Sequence, residues 1–112
     1  EEFYMTFIDY IAPLYELKSN SLKNLLTYLC EHAEFNTGKV SLTTAARKVA
    51  CSYLNISNNT LTNYLKKLKD SNLIDGQDGE FIINPQIFWK GDTKSRAQLL
   101  EKEEIKITFN LG

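Results

Sequence analysis

Apolar residues recur three and four positions apart along much of this chain, the period of helices with one buried face. Phe3, Phe7, Ile8, Ile11, Leu14 and Tyr15 make the first stripe, and Pro13 inside it would kink or end the helix. Leu22, Leu25, Leu26, Leu29, Cys30 and Ala33 make the second, opened by the cap residues Ser19-Asn20-Ser21 and closed by the turn residues Asn36-Thr37-Gly38. Lys39 to Leu42 alternates and predicts a single short strand. Thr43 or Thr44 can cap a third helix running to about Leu54, with Ala46, Val49, Ala50 and Leu54 inward. Ser57 can cap a fourth, about Asn58 to Ser71, whose buried line is Leu61, Leu65 and Leu68.

Beyond Ser71 the period shortens. Leu73-Ile74-Asp75 and Glu80-Phe81-Ile82-Ile83 read as strands joined by Gly76-Gln77-Asp78-Gly79, a hairpin pattern. An aromatic stretch follows Asn84-Pro85, and Gly91-Asp92 opens a charged helix. Ile105 to Leu111 alternates apolar and polar residues, as a strand or a tail would.

Helix, helix, strand, helix, turn, helix, hairpin is the order of a winged helix-turn-helix. The predicted fold is mainly α: a three-helix core with a small β-hairpin wing, plus N-terminal and C-terminal helices. One domain fills residues 1–112, with the helix-turn-helix at about 43–71, the wing at about 73–84 and the C-terminal helix at about 92–103. The local chemistry of the turn agrees. Asn55 accepts a left-handed backbone, Ile56 plugs the angle between the helices, and Cys51 beside Ala50 supplies a small residue for their crossing.

Charge singles out the same region. Between Phe35 and Lys69 lie Lys39, Arg47, Lys48, Lys66, Lys67 and Lys69, six of the chain's thirteen Lys and Arg, and none of its fourteen Asp and Glu. A net charge of −1 says nothing about a partner, but cations clustered without anions make a local positive potential suited to polyphosphate. With its leucines inward, the fourth helix presents Asn59, Thr62, Asn63 and Lys66, side chains able to read base edges in a major groove. Thr43, Thr44, Arg47, Lys48, Ser57, Thr60 and Lys67 are placed to hold phosphates, and Gln77 stands at the wing tip. Asp75, Asp78 and Glu80 surround Gln77, so the wing is more acidic than phosphate contact favours.

The rest of the composition excludes more than it suggests. Cys30 and Cys51 are too few for a disulfide framework and read as reduced core thiols in a cytoplasmic protein. His32, near Glu31 and Glu34, has no partner set for metal or acid–base work and reads as a helix-end residue. No phosphate loop, nucleophile elbow or metal-spaced Cys/His cluster is present, so neither an enzyme nor a cofactor is expected. No apolar run approaches the roughly 18 residues that span a bilayer. Glu1-Glu2 does not open a signal peptide, and a start without Met suits a piece cut from a longer protein. The aromatics Phe3, Tyr4, Phe7, Tyr10 and Tyr15 crowd one short helix, which serves either core packing or a homodimer surface.

FIINPQIFWKGD, Phe81 to Asp92, with Arg96 and Leu99 beyond it, resembles the RepL-type replication initiator family of Gram-positive plasmids. SNNTLTNYLKKLKDSNLI, Ser57 to Ile74, resembles the recognition helix and wing start of winged-helix proteins in general, MarR-like regulators among them. The family resemblance spans about residues 3–100 and leaves the tail from Ile105 without a counterpart. It implies binding to double-stranded DNA at a plasmid or mobile-element origin and recruitment of host replication proteins. A transcriptional repressor with the same DNA chemistry stays open as an alternative. So does a winged-helix protein–protein module, which the acidic wing favours.

Overall fold

The computed structural model of the chain describes residues 4–6 and 20–109. Its elements are β1 (Tyr4–Thr6), α1 (Asn20–Glu31), β2 (Lys39–Ser41), α2 (Thr44–Leu54), α3 (Asn58–Asp70), β3 (Ile74–Gln77), β4 (Glu80–Ile83), β5 (Phe88–Lys90), α4 (Thr93–Leu100) and α5 (Glu103–Thr108). A three-stranded antiparallel sheet in the order β2-β4-β3 stands beside α1, α2 and α3, and β1 pairs with β5 in a separate ribbon. This is a winged helix-turn-helix arrangement, mainly helical with a small hairpin.

The core forms where the helical stripes meet the sheet. Leu22, Leu25, Leu26, Leu29, Cys30 and Ala33 of the α1 region pack with Leu61, Leu65 and Leu68 of α3, and Val40, Phe81 and Ile83 close the cluster from the sheet. In α2 the expected face is rotated. Ala50 is fully buried, but Val49 is 62% exposed, and Cys51 is half-buried rather than enclosed. Ala50 is thus the small residue that lets the helices approach, and Cys51 lies at the edge of their contact.

Two helix ends decide the path of the chain. Asn55 (φ 57°, ψ 49°) closes α2 in the left-handed conformation. Its N–H donates to Ser52 O at 3.3 Å, and the Ile56 N–H reaches back to Cys51 O at 3.0 Å. Asn72 (φ 62°) ends α3 the same way, with its N–H on Lys69 O at 2.9 Å and the Leu73 N–H on Leu68 O at 3.1 Å. Both pairs are Schellman closures, which satisfy carbonyls that a helix end otherwise leaves open.

Several expectations need correction. Residues Tyr4–Thr6 are a strand antiparallel to Phe88–Lys90, with Met5 opposite Trp89, so the first stripe is not helical from its start. The rest of that stripe, with Pro13 and the dimer surface inferred from its aromatics, lies outside the described residues. The aromatic stretch after Pro85 contains β5. The helix expected at about 92–103 is α4, which ends at Leu100, and Ile105 to Thr108 belongs to a further helix, α5, rather than to a strand or tail. The wing's connection is tighter than the four residues Gly76 to Gly79. β3 runs on to Gln77, and the turn is Asp78-Gly79 alone (φ 53° and 82°), the two positive angles of a type I′ hairpin.

The segment from Asn84 to Asp92 locks the wing to the helices. Asn84 is 2% exposed; its Nδ2 donates to Asn72 O at 2.9 Å and its Oδ1 accepts from the Gln86 N–H at 3.0 Å. Lys90, 6% exposed, donates through Nζ to Glu31 O (2.8 Å) and Ala33 O (3.0 Å), carbonyls at the C-terminal end of α1 where a cation is favoured. Trp89 Nε1 donates to Asp92 O at 2.8 Å, and Arg96 Nε donates to Pro85 O at 2.8 Å. Asp92 caps α4 by accepting from the Ser95 N–H at 2.7 Å, and that bond holds its carboxyl below the usual carboxylate range.

Gly91 completes the lock. Its φ of +146° is strained for any L side chain, and a Cβ there would fall 2.0 Å from Asn36 Oδ1, the atom that accepts the Asp92 N–H. Gly91→Ala should therefore cost about 3 kcal/mol, since the new methyl meets both a forbidden φ and an occupied hydrogen bond. A thermal melt of the variant within a degree or two of the wild type would contradict this account of the lock.

Candidate nucleic-acid interface

α3 is packed on one side, and its other side is exposed among the described residues. Ser57 caps its start, accepting from the Thr60 N–H at 3.1 Å and donating to Thr60 Oγ1 at 2.9 Å. Thr43 does the same for α2, accepting from the Ala46 N–H at 3.1 Å. Leu61, Leu65 and Leu68 are buried. Asn59, Thr62, Asn63, Lys66 and Lys67 are all exposed, and Lys69 is half-buried on the flank towards the wing. The first acidic residue on the helix is Asp70, at its last position.

Two clefts border this face. One, about 330 Å³, runs between α3 and the wing and is lined by Thr62, Lys66 and Lys69 on the helix side and by Gln77 and Asp78 on the wing side. The other, about 430 Å³, lies between α2 and the start of α3 and is lined by Thr44, Arg47, Lys48, Cys51 and Asn58. Arg47 borders both. The structure therefore brings Thr62, Lys66, Arg47 and Gln77 to one groove and Thr44, Arg47 and Lys48 to its neighbour. Asn59, Asn63 and Lys67 stand on the exposed helix face outside these clefts. Lys67 Nζ lies 6.0 Å from the centre of the Tyr64 ring, near enough for a weak cation–π contact.

Four of the expected polar contacts already have internal work, Thr62 among them: its hydroxyl accepts from Arg47 Nη2 and donates to Asn58 O at 3.1 Å. Thr43, Ser57 and Thr60 are engaged in helix capping, which leaves their hydroxyls less free than their exposure suggests. Arg47 is not a loose surface cation. Its Nε donates to Asn58 Oδ1 at 2.9 Å, and its Nη2 donates to Thr62 Oγ1 at 2.6 Å and to Asn58 O at 3.4 Å. Asn58, which sequence reasoning passed over, thus belongs to the site. Its position immediately after the cap residue Ser57 was the available signal, because the first turn of a groove helix is where side chains come nearest to bases.

The acidic wing is partly committed too. Glu80 Oε2 accepts the Ser41 hydroxyl at 2.7 Å across the sheet. Asp75 and Glu80 line a separate cleft with Lys69 and Gln77, whereas Asp78 lines the α3 groove.

The remaining candidates offer little chemistry. His32 is exposed beyond the end of α1, stacked on Tyr28 at 4.1 Å between ring centroids, with Nδ1 2.9 Å from Tyr28 O. No group of three His, Cys, Asp or Glu among the described residues could hold a metal. No helix among them is long and apolar enough to cross a membrane. The thiols differ sharply: burial pushes Cys30 up to about 12, while half-buried Cys51 opens onto the cleft beside Arg47 and Lys48. A maleimide at pH 7 should label the native protein at Cys51 alone, and Cys30 only after denaturation. Equal labelling of both in the native state would refute this placement.

Neither characterised proteins nor solved structures give a significant match to the chain. A family model does, over residues 2–106: that of RepL, described as Firmicute plasmid replication protein. Matched over nearly its whole length, the chain belongs to the RepL family of plasmid replication proteins.

Proposed function

We propose that this protein binds double-stranded DNA sequence-specifically, with α3 in the major groove, and so initiates or maintains replication of a plasmid or mobile element. The observation that carries this reading is the outer face of α3. Asn59, Thr62, Asn63, Lys66 and Lys67 stand exposed there without a carboxylate among them, with Arg47 and Lys48 beside them. Membership of a plasmid replication family supports it from a separate direction. The mechanism is binding rather than catalysis: amides and ammonium groups read and hold the duplex, and host replication proteins are recruited to the complex.

The roles divide by chemistry. Asn59, Asn63 and Lys66 meet base edges, and Thr62, whose hydroxyl is engaged with Asn58 and Arg47, offers a base its methyl group. Lys48 and Lys67, with Thr44 at the start of α2, meet phosphates. Gln77 reaches the duplex from the wing, whose carboxylates limit how closely it approaches. A transcriptional regulator would use the same contacts, and transfer of an origin plasmid that depends on the protein separates the two roles. One observation favours a protein–protein module instead, namely the acid at the wing in Asp75, Asp78 and Glu80. A gel shift at low salt without binding at micromolar protein would favour that module.

Selection of bound oligonucleotides from a random pool, followed by titration against salt, tests the reading. Affinity should fall with a log–log slope near −0.9 per phosphate contact. Lys67→Ala should weaken selected and random DNA alike and flatten the slope by about 1, whereas Asn63→Ala should relax the sequence preference. Equal losses on both DNAs for both variants would overturn the assigned roles.

A further inference from the structure

The geometry points to Arg47 as a positioning residue that turns Asn58 into a reader of guanine at the start of α3. This rests on the reading of α3 as the groove helix and names a contact within it.

Arg47 Nε–H takes the Asn58 side-chain oxygen, and Nη2 takes the Thr62 hydroxyl oxygen and the Asn58 carbonyl. Thr62 Oγ1–H donates to that same carbonyl at 3.1 Å. The Asn58 amide is therefore oriented, oxygen towards Arg47 and NH₂ away from it. The Thr62 hydroxyl spends its only hydrogen inside the helix. What the unit still offers is the NH₂ of Asn58 and the two N–H groups of Arg47 Nη1, neither of which has a partner among the described residues. With both oxygens turned to Arg47 and the unused hydrogens turned away from it, the unit favours acceptors. In the major groove guanine presents two, N7 and O6, whereas adenine mixes an acceptor with a donor and cytosine offers a donor. A free asparagine could flip its amide to suit adenine; this one would lose its bond to Arg47 by doing so.

Arg47 is half-buried at the junction of the two clefts, so its guanidinium is held rather than mobile. Its fork is what fixes the amide. A lysine keeps the charge but has no such fork.

Asn58→Asp is the sharpest test. The aspartate still offers an oxygen to Arg47 Nε, and a carboxylate in the first turn of α3 suits the helix dipole, so the fold should persist. Outward, however, a donor becomes an acceptor. In oligonucleotide selection the wild type should require guanine at one position, where replacing it costs about tenfold or more in affinity. N58D should lose that requirement and keep its preferences elsewhere. R47K should lose it at the same position with the salt dependence unchanged. Melting temperatures of all three proteins confirm folding. The inference is overturned if either N58D or R47K retains the guanine requirement, or if the wild type selects a defined site without it. In those cases α3 still reads DNA by other residues. A wild-type pool with no preferred sequence would instead remove the base-reading role of α3 altogether, and this inference with it.

Discussion

Everything in this fold depends on two asparagines in the left-handed conformation, one at each end of α3. Asn55 turns the chain out of α2 and sets the angle at which α3 leaves; Asn72 turns it out of α3 towards the wing. A residue with φ near +60° is costly for most side chains, and asparagine tolerates it better than any other save glycine. Asn72 does more than turn. Its carbonyl accepts from buried Asn84 at the base of the wing, and its Nδ2 donates to Phe109 O at 2.7 Å, tying in the end of α5. The wing and the C-terminal helices therefore hang on the end of the helix whose free face forms the candidate site.

The consequence is a division of labour along α3. Its inward leucines and its C-terminal end belong to the scaffold, while its N-terminal turn and outer face are free of core duties. Hydrophobic burial fixes the rotation of the helix about its axis, because a turn of about 100° would expose Leu61 or Leu68. That rotation in turn decides which amides face outward. Side chains at the site are then refined by hydrogen bonds from a second helix, as Arg47 does for Asn58 and Thr62. Orientation here comes from packing first and polar contacts second, the order expected where individual exposed hydrogen bonds contribute only about 1 kcal/mol.

Local features were legible in the amino-acid sequence. The caps Thr43 and Ser57, the turn at Asn55 and the leucine line of α3 all depend on residues within a few positions of one another. What escaped was non-local. The three-residue strand β1 exists only because it finds Phe88–Lys90 more than eighty positions away, and no local pattern announces such a pairing. Val49 was assigned inward because a helical period is broad enough to admit it, yet α2 is rotated so that Ala50 takes the centre. Arg47 read as a surface cation because its charge is visible in sequence, while its partners, eleven and fifteen residues on, are set by how two helices cross.

The stretch that most resembles the plasmid initiators, Phe81 to Asp92, contains almost nothing that faces a partner. Asn84, Pro85, Trp89, Lys90 and Gly91 are buried, and their polar atoms are taken by Asn72, Glu31, Ala33, Asp92 and Asn36. The residues that lock the architecture and those proposed to meet DNA are therefore different. The lock between wing and helices makes the architecture, and it tolerates little change because a buried lysine or asparagine left without its partner costs about 1–3 kcal/mol or more. The exposed positions of α3 answer to no such constraint. On the proposed reading, a change at Asn58, Asn59, Asn63 or Lys66 alters the DNA site without disturbing the lock.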